Sequence, residues 1–313
     1  MTRRRSLQIP PLRFGAGREC TLLASLAAAT GADYDWLMGC SGAAFTTTLD
    51  LKTWDPLAAA PHDDSTLARA ARAAGVRVDR VTPPFDDEMR ELVFDRLAEA
   101  IEAKLPPLVR GIVGPPEFGL LVGYEEPGPT FLARTYFDHG DDPTKVGWDA
   151  FAGPARGEPF FLDRTAAPSR EELAREALGA AIDATDATEA ATQGWINGLR
   201  DDARWADARR AGTLAFADHA MRSILADKRR AATRFLRAVR GHFPPRAGAD
   251  LLRAAEAHGH IADAAEKAGV GPFDASMIAR YVQGGQRRAW ANLLEGALAR
   301  EREAHAALRA AAA

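Results

Sequence analysis

Leu108-Val109-Arg110-Gly111-Ile112-Val113, then Phe118-Gly119-Leu120-Leu121-Val122-Gly123-Tyr124, then Thr130-Phe131-Leu132-Ala133-Arg134-Thr135-Tyr136 are three apolar runs in quick succession. The last two are separated by Glu125-Glu126-Pro127-Gly128-Pro129, and strand-like runs joined by a Pro/Gly turn predict a hairpin. Pro159-Phe160-Phe161-Leu162 adds a further strand. Upstream, the spacing predicts helices over Cys20–Thr30, Asp33–Met38, Asp64–Ala74 and Asp86–Lys104, with only Val76–Val81 alternating as a strand between them. Helices first and an antiparallel sheet later argue for an α+β domain over an alternating βαβ one.

The pattern changes near Pro168. Beyond it, alanine-rich stretches with apolar residues three and four apart predict an all-α helical domain of four or five helices. The clearest runs from Trp205 to about Arg240, and two more lie near Asp250–Ala268 and Asp274–Ala311. The expected division is therefore 1–166 and 167–313, with Ser169 as an N-cap ahead of Glu171 and Glu172.

At 313 residues, 47% hydrophobic and 27% charged, the composition is globular, with room for two cores. A net charge of −3 excludes a general nucleic-acid role, which needs a concentrated basic face. Arg3-Arg4-Arg5 reads as a frayed, solvated terminus. There is no apolar run of membrane-spanning length and no secretory h-region, so the expected location is the cytoplasm, with no membrane partner. The two cysteines, Cys20 and Cys40, build no disulfide framework.

Cys20 is the first candidate for chemistry. It opens a helix that is apolar on nearly every face, after the turn Gly15-Ala16-Gly17. A helix N-terminus stabilises a thiolate, and its amides can hold an oxyanion. The alternative is a small buried apolar residue.

Glu19-Cys20 opening a helix, then Gly31, then Tyr34-Asp35-Trp36-Leu37-Met38-Gly39-Cys40-Ser41-Gly42-Ala43-Ala44-Phe45, resembles the N-terminal domain of the butirosin-biosynthesis acyltransferase family. That family belongs to the papain-like clan, with the C39-type cysteine peptidases. The segments 114–124 and 134–138 resemble the sheet hairpin of the same clan, so the likeness covers about residues 12 to 163. Trp195-Ile196-Asn197-Gly198-Leu199 and Lys228–Leu236 resemble the helical tail of some members.

The resemblance implies a papain-like domain carrying a thiol-dependent acyl or peptidyl transferase, or an amidohydrolase. Cys20 would be its nucleophile and Asp138 the residue that orients a histidine. At the position where the family histidine is expected this chain has Glu117, and no histidine occurs between His62 and His139. A carboxylate beside a thiol opposes its ionisation where a histidine would assist it. No family glutamine precedes Cys20 either. The catalytic set implied is Cys20, Glu117 and Asp138, with Glu19, Ser41, Phe45 and Tyr136 binding a small-molecule or acyl-carrier-linked substrate. The alternative is a catalytically degenerate relative that binds a small ligand or partner protein. No cofactor or metal is expected, since Asp138, Asp141 and Asp142 lack EF-hand spacing. His258, His260 and Asp263 read as a solvated helix end. The arginines from Arg204 to Arg237 read as a solvated or partner-facing surface, and the long helices suggest a homodimer.

Overall fold

The computed structural model describes residues 4–125, 130–148, 157–268 and 275–313. The expected turn through 126–129 lies outside them. Two compact units emerge: Met1–Leu37 with Leu67–Pro168, and Met38–Thr66 with Ser169–Ala313. The protein is α+β, an antiparallel sheet with helices followed by C-terminal helices.

The first unit holds β1 (Arg4–Ser6), α1 (Thr21–Thr30), β2 (Val76–Arg80), α4 (Asp87–Glu102), β3 (Leu108–Arg110), β4 (Phe118–Glu125), β5 (Thr130–Arg134), β6 (Thr144–Gly147) and β7 (Glu158–Arg164). Two helices pass from one unit to the other, α2 (Tyr34–Cys40) and α3 (Asp64–Ala73). The sheet runs β2-β7-β3-β4-β5-β6, every pairing antiparallel. Strand β4 is buried from Phe118 to Tyr124 because a helix covers each face. Leu121 and Tyr124 join Val93, Leu97 and Ile101 of α4 in one cluster, and α1 packs against the same strand. Its continuous apolar run follows from this double burial.

The basic N-terminus is not frayed over its described part. Arg4–Ser6 pairs with Gly123–Glu125 of β4, alongside the stretch that β3 leaves uncovered. The approach is close: a Cβ on Gly123 would lie 2.9 Å from the Ser6 Cα. The expected strand through Val113 stops at Arg110, and β6 carries too little apolar character to be read from sequence.

The second unit holds α5 (Arg170–Asp183), α6 (Thr185–Arg200), α7 (Ala208–Val239), α8 (Pro245–Ala268), α9 (Ala275–Val282) and α10 (Gly285–Ala312). The Ser169 hydroxyl caps α5 by accepting the Glu172 N–H. The single helix expected to Ala311 is two, separated at Gly284, whose φ of 78° ends α9 and starts α10. Helix α8 packs on both α7 and α10, and α10 also packs on α6. Residues 38–66, grouped by sequence with the first part, fold into this helical unit. No helix among the described residues is long and apolar enough to cross a membrane.

Candidate functional site

Helix α1 begins at Cys20, its N-cap residue, which adopts φ −85° and ψ 89°. Gly15 and Gly17 turn the chain with φ of 76° and 70°, and the Glu19 carboxylate braces that turn by accepting the Gly15 N–H at 2.8 Å. The Cys20 carbonyl accepts the Ala24 N–H, so the helix starts properly, but the thiol makes no capping bond. Cys20 has zero solvent exposure. Its own N–H donates to the Tyr34 hydroxyl at 3.3 Å.

Glu117 sits just ahead of β4 and does reach the tip of α1. Thr21 Oγ1 donates to Glu117 Oε2 at 2.5 Å and accepts the Phe118 N–H at 3.3 Å. Tyr136 reaches the same tip from beyond β5, its hydroxyl donating to the Arg18 carbonyl at 2.7 Å with Phe14 tilted over its ring. Cys20, Glu19, Glu117 and Tyr136 therefore gather around one helix end.

Asp138 works inside its own loop. Its Oδ1 accepts the Thr135 N–H, the Thr135 hydroxyl and the Thr144 hydroxyl at 2.9–3.1 Å, and its side chain is 2% exposed. Arg134 Nη1 stands 3.6 Å from Oδ2 while Arg134 Nε donates to the Ile9 carbonyl. The carboxylate thus ties β5 to β6. His139 is exposed in the following turn. Ser41 and Phe45 belong to the second unit and are fully buried there. The Ser41 hydroxyl is spent on the Met38 carbonyl and the Ala43 N–H, and Phe45 packs edge-on to Phe235.

The chain matches no protein-family model and no curated protein.

The second cysteine is equally enclosed. Burial pushes the Cys40 thiol up to about 12, against the lowering effect of Arg170, so it stays protonated. Among the described residues, no group of three or more His, Cys, Asp or Glu side chains is arranged to hold a metal ion.

The largest concentration of buried charge lies in the helical unit, where the sequence reading saw a solvated face. Arg222 and Arg229 are buried because they fall seven residues apart, on the stripe of α7 that meets its neighbours. Asp218 accepts the indole N–H groups of Trp195 at 2.7 Å and Trp290 at 3.2 Å, receives the Tyr281 hydroxyl, and pairs with Arg222 at 3.0 Å. Arg229 pairs with Glu301 of α10 at 2.7 Å. Its Nη1 donates to the Ala44 and Thr46 carbonyls and its Nη2 to the Thr47 hydroxyl, at 2.7, 3.2 and 2.8 Å. Lys228 donates to the Ala59 carbonyl at 2.7 Å. Two consecutive cations thus clasp both ends of the 44–59 stretch.

His258 corrects the reading of a solvated helix end. It is fully buried between Phe45 (ring centroids 5.7 Å apart), Arg229 and His305, whereas His260 is exposed and Asp263 pairs with Arg230 at the surface. The only signal available in the sequence was its register: His258 follows Leu251, Ala254 and Ala255 on the apolar face of α8.

Proposed function

We propose that this chain is a cysteine-peptidase-like protein without turnover, its α+β unit a papain-like scaffold that binds a small ligand or partner protein. A helix with cysteine at its tip, laid on an antiparallel sheet and touching residue 117 at the head of a central strand, supports the papain-like part. One observation carries the loss of turnover: Cys20 has no solvent exposure, and its N–H is already bonded to the Tyr34 hydroxyl. A nucleophile must reach its substrate, and an oxyanion donor must point at the reacting atom. Here the thiol is sealed and that amide is occupied. Glu117, standing where the family base is expected, is held by the Thr21 hydroxyl and lacks the imidazole that would take a thiol proton.

A second reading, thiol-dependent acyl transfer, is favoured by the N-cap position of Cys20 with Glu117 bonded to the next residue. Intact mass after iodoacetamide treatment at neutral pH separates the two. The degenerate scaffold leaves Cys20 and Cys40 unlabelled until guanidinium is added, and Cys20→Ala leaves function in the host unchanged. Selective labelling of Cys20 faster than a model thiol establishes the acyl-transfer reading instead.

A further inference from the structure

The second unit contains an imidazole pair that no catalytic proposal uses. Neither ring nitrogen of His258 has a hydrogen-bond partner among the described residues, although both are buried. A neutral imidazole carries one donor and one acceptor, and leaving them buried and unbonded is costly. His305, 1% exposed, stands between two carboxylates: Nδ1 is 3.4 Å from Glu189 Oε1 of α6, and Nε2 is 3.6 Å from Glu301 Oε1 of α10.

Charged groups face this pair from three helices. Helix α7 contributes Arg229, α6 contributes Glu189, and α10 contributes Glu301 and His305 itself; Arg302 engages Glu189 from the outside. The stretch Ala43–Phe45 contributes only the Phe45 ring and backbone. For His258 the neighbours are thus a guanidinium, a second imidazole and an aromatic ring. Burial, then Arg229 and His305, hold its pKa well below the ordinary histidine value. Burial also lowers that of His305, against the raising effect of Glu301.

We propose that this cluster is a proton-operated latch: protonation of His258 and His305 on mild acidification releases the 44–47 stretch from Arg229 of α7. Arg229 has one carboxylate partner in the cluster, Glu301, and uses its remaining donors to hold Ala44, Thr46 and Thr47. A proton taken from solvent by His258 puts a second positive charge beside Arg229 in a site closed to water. A proton on His305 creates a competing cation 3.6 Å from Glu301. Each weakens the one ion pair that fixes the guanidinium fork. The only bonds formed are the imidazole N–H bonds to protons supplied by solvent, and the device resets when the pH rises.

The sign is fixed by linkage. Both folded pKa values lie below the ordinary 6.5, so the released state binds the extra protons. The latch is fully closed above about pH 6.5 and loosens as pH falls through it, by up to tenfold in the opening equilibrium per pH unit for each histidine.

Hydrogen exchange of the full chain, read by mass spectrometry from pH 7.5 to 5.0 and corrected for intrinsic rates, tests this. Protection of peptides spanning 43–48 should fall steeply below pH 6.5 while the β4 peptide stays protected. His258→Leu should lower that slope by about one proton, to tenfold per unit or less. An unchanged slope in His258→Leu, or equal loss in β4, overturns the proposal. Should that variant fail to fold, an NMR titration of the two imidazoles in the unaltered protein decides. Midpoints well below 6.5 that coincide with release of 43–48 support the latch, and midpoints at or above 6.5 refute it.

Discussion

Replacing Arg229 with methionine keeps most of the side-chain volume and removes the charge. The guanidinium makes an ion pair with Glu301 at 2.7 Å, a second bond to that carboxylate at 3.1 Å, and three bonds to Ala44, Thr46 and Thr47. Valued singly, charge-assisted bonds of about 1.5–3 kcal/mol each sum to well over 6. That sum overcounts, because the bonds share one ion whose burial was itself costly. The better bound comes from breaking a buried pair by removing one member, about 3–5 kcal/mol, since Glu301 is left charged at 3% exposure. For a unit of this size each kcal/mol moves Tm by about 2–4 °C, so Arg229→Met should lower it by roughly 6–20 °C. Urea unfolding followed by tryptophan fluorescence is the suitable assay. Trp54, Trp195, Trp205 and Trp290 all report on the second unit, and only Trp36 and Trp148 on the first. Adding Glu301→Leu removes the stranded carboxylate, so the double variant should be more stable than the single one. A single-variant loss below about 1 kcal/mol, or strictly additive losses, would refute the claim that Arg229 and Glu301 act as one buried unit.

Two further substitutions probe packing and the role of Asp138. A Cβ on Gly39 would collide with the Phe235 ring, so Gly39→Ala should cost about 1–3 kcal/mol by thermal melt; a neutral result would show the contact to be loose. Asp138→Ala strands the Thr135 N–H and the two threonine hydroxyls, and should destabilise the sheet unit by roughly 2–4 kcal/mol in urea, with Asp138→Asn costing less. Stability unchanged to within about 0.5 kcal/mol would remove the structural role assigned to it.

The α+β class, the helical C-terminal half and most element positions were legible because they follow from local periodicity. Helix α1 reads as buried from its composition, and Gly31 and Gly75 mark helix ends by adopting φ of 76° and 68°. What was not legible depends on pairing across long separations. Strand β1 is three mostly polar residues whose place is set by the gap beside β4. The arginines of α7 look alike along the chain, and only the partner helices distinguish Arg229, enclosed by Glu301, from Arg230, which meets Asp263 and Glu266 at the surface. At the candidate site the approach of residue 117 to the tip of α1 was anticipated. The Tyr34 bond to the Cys20 amide was not, because fourteen residues of spacing carry no such information.

The motif from Tyr34 to Phe45 reads as one signature but serves two cores. Tyr34 caps the Cys20 amide, and the Trp36 indole donates to the Ala73 carbonyl, both in the first unit. From Met38 onward the same motif answers to the helices. Gly39 admits Phe235, Gly42 takes a φ of 81° that ordinary side chains avoid, and Ala44 and Phe45 meet Arg229 and His258. In the helices, Trp195–Leu199 and Lys228–Leu236 face the same excursion: Gly198 leaves 2.5 Å between an added Cβ and Trp54, and Lys228 and Arg229 clasp Ala59 and Ala44. Three separate sequence signals therefore converge on the mutual fit of residues 38–66 and the helices. A demand of that kind specifies residue types as sharply as catalysis does. Packing alone therefore accounts for the residue types from Met38 to Phe45, with no demand from the Cys20 thiol.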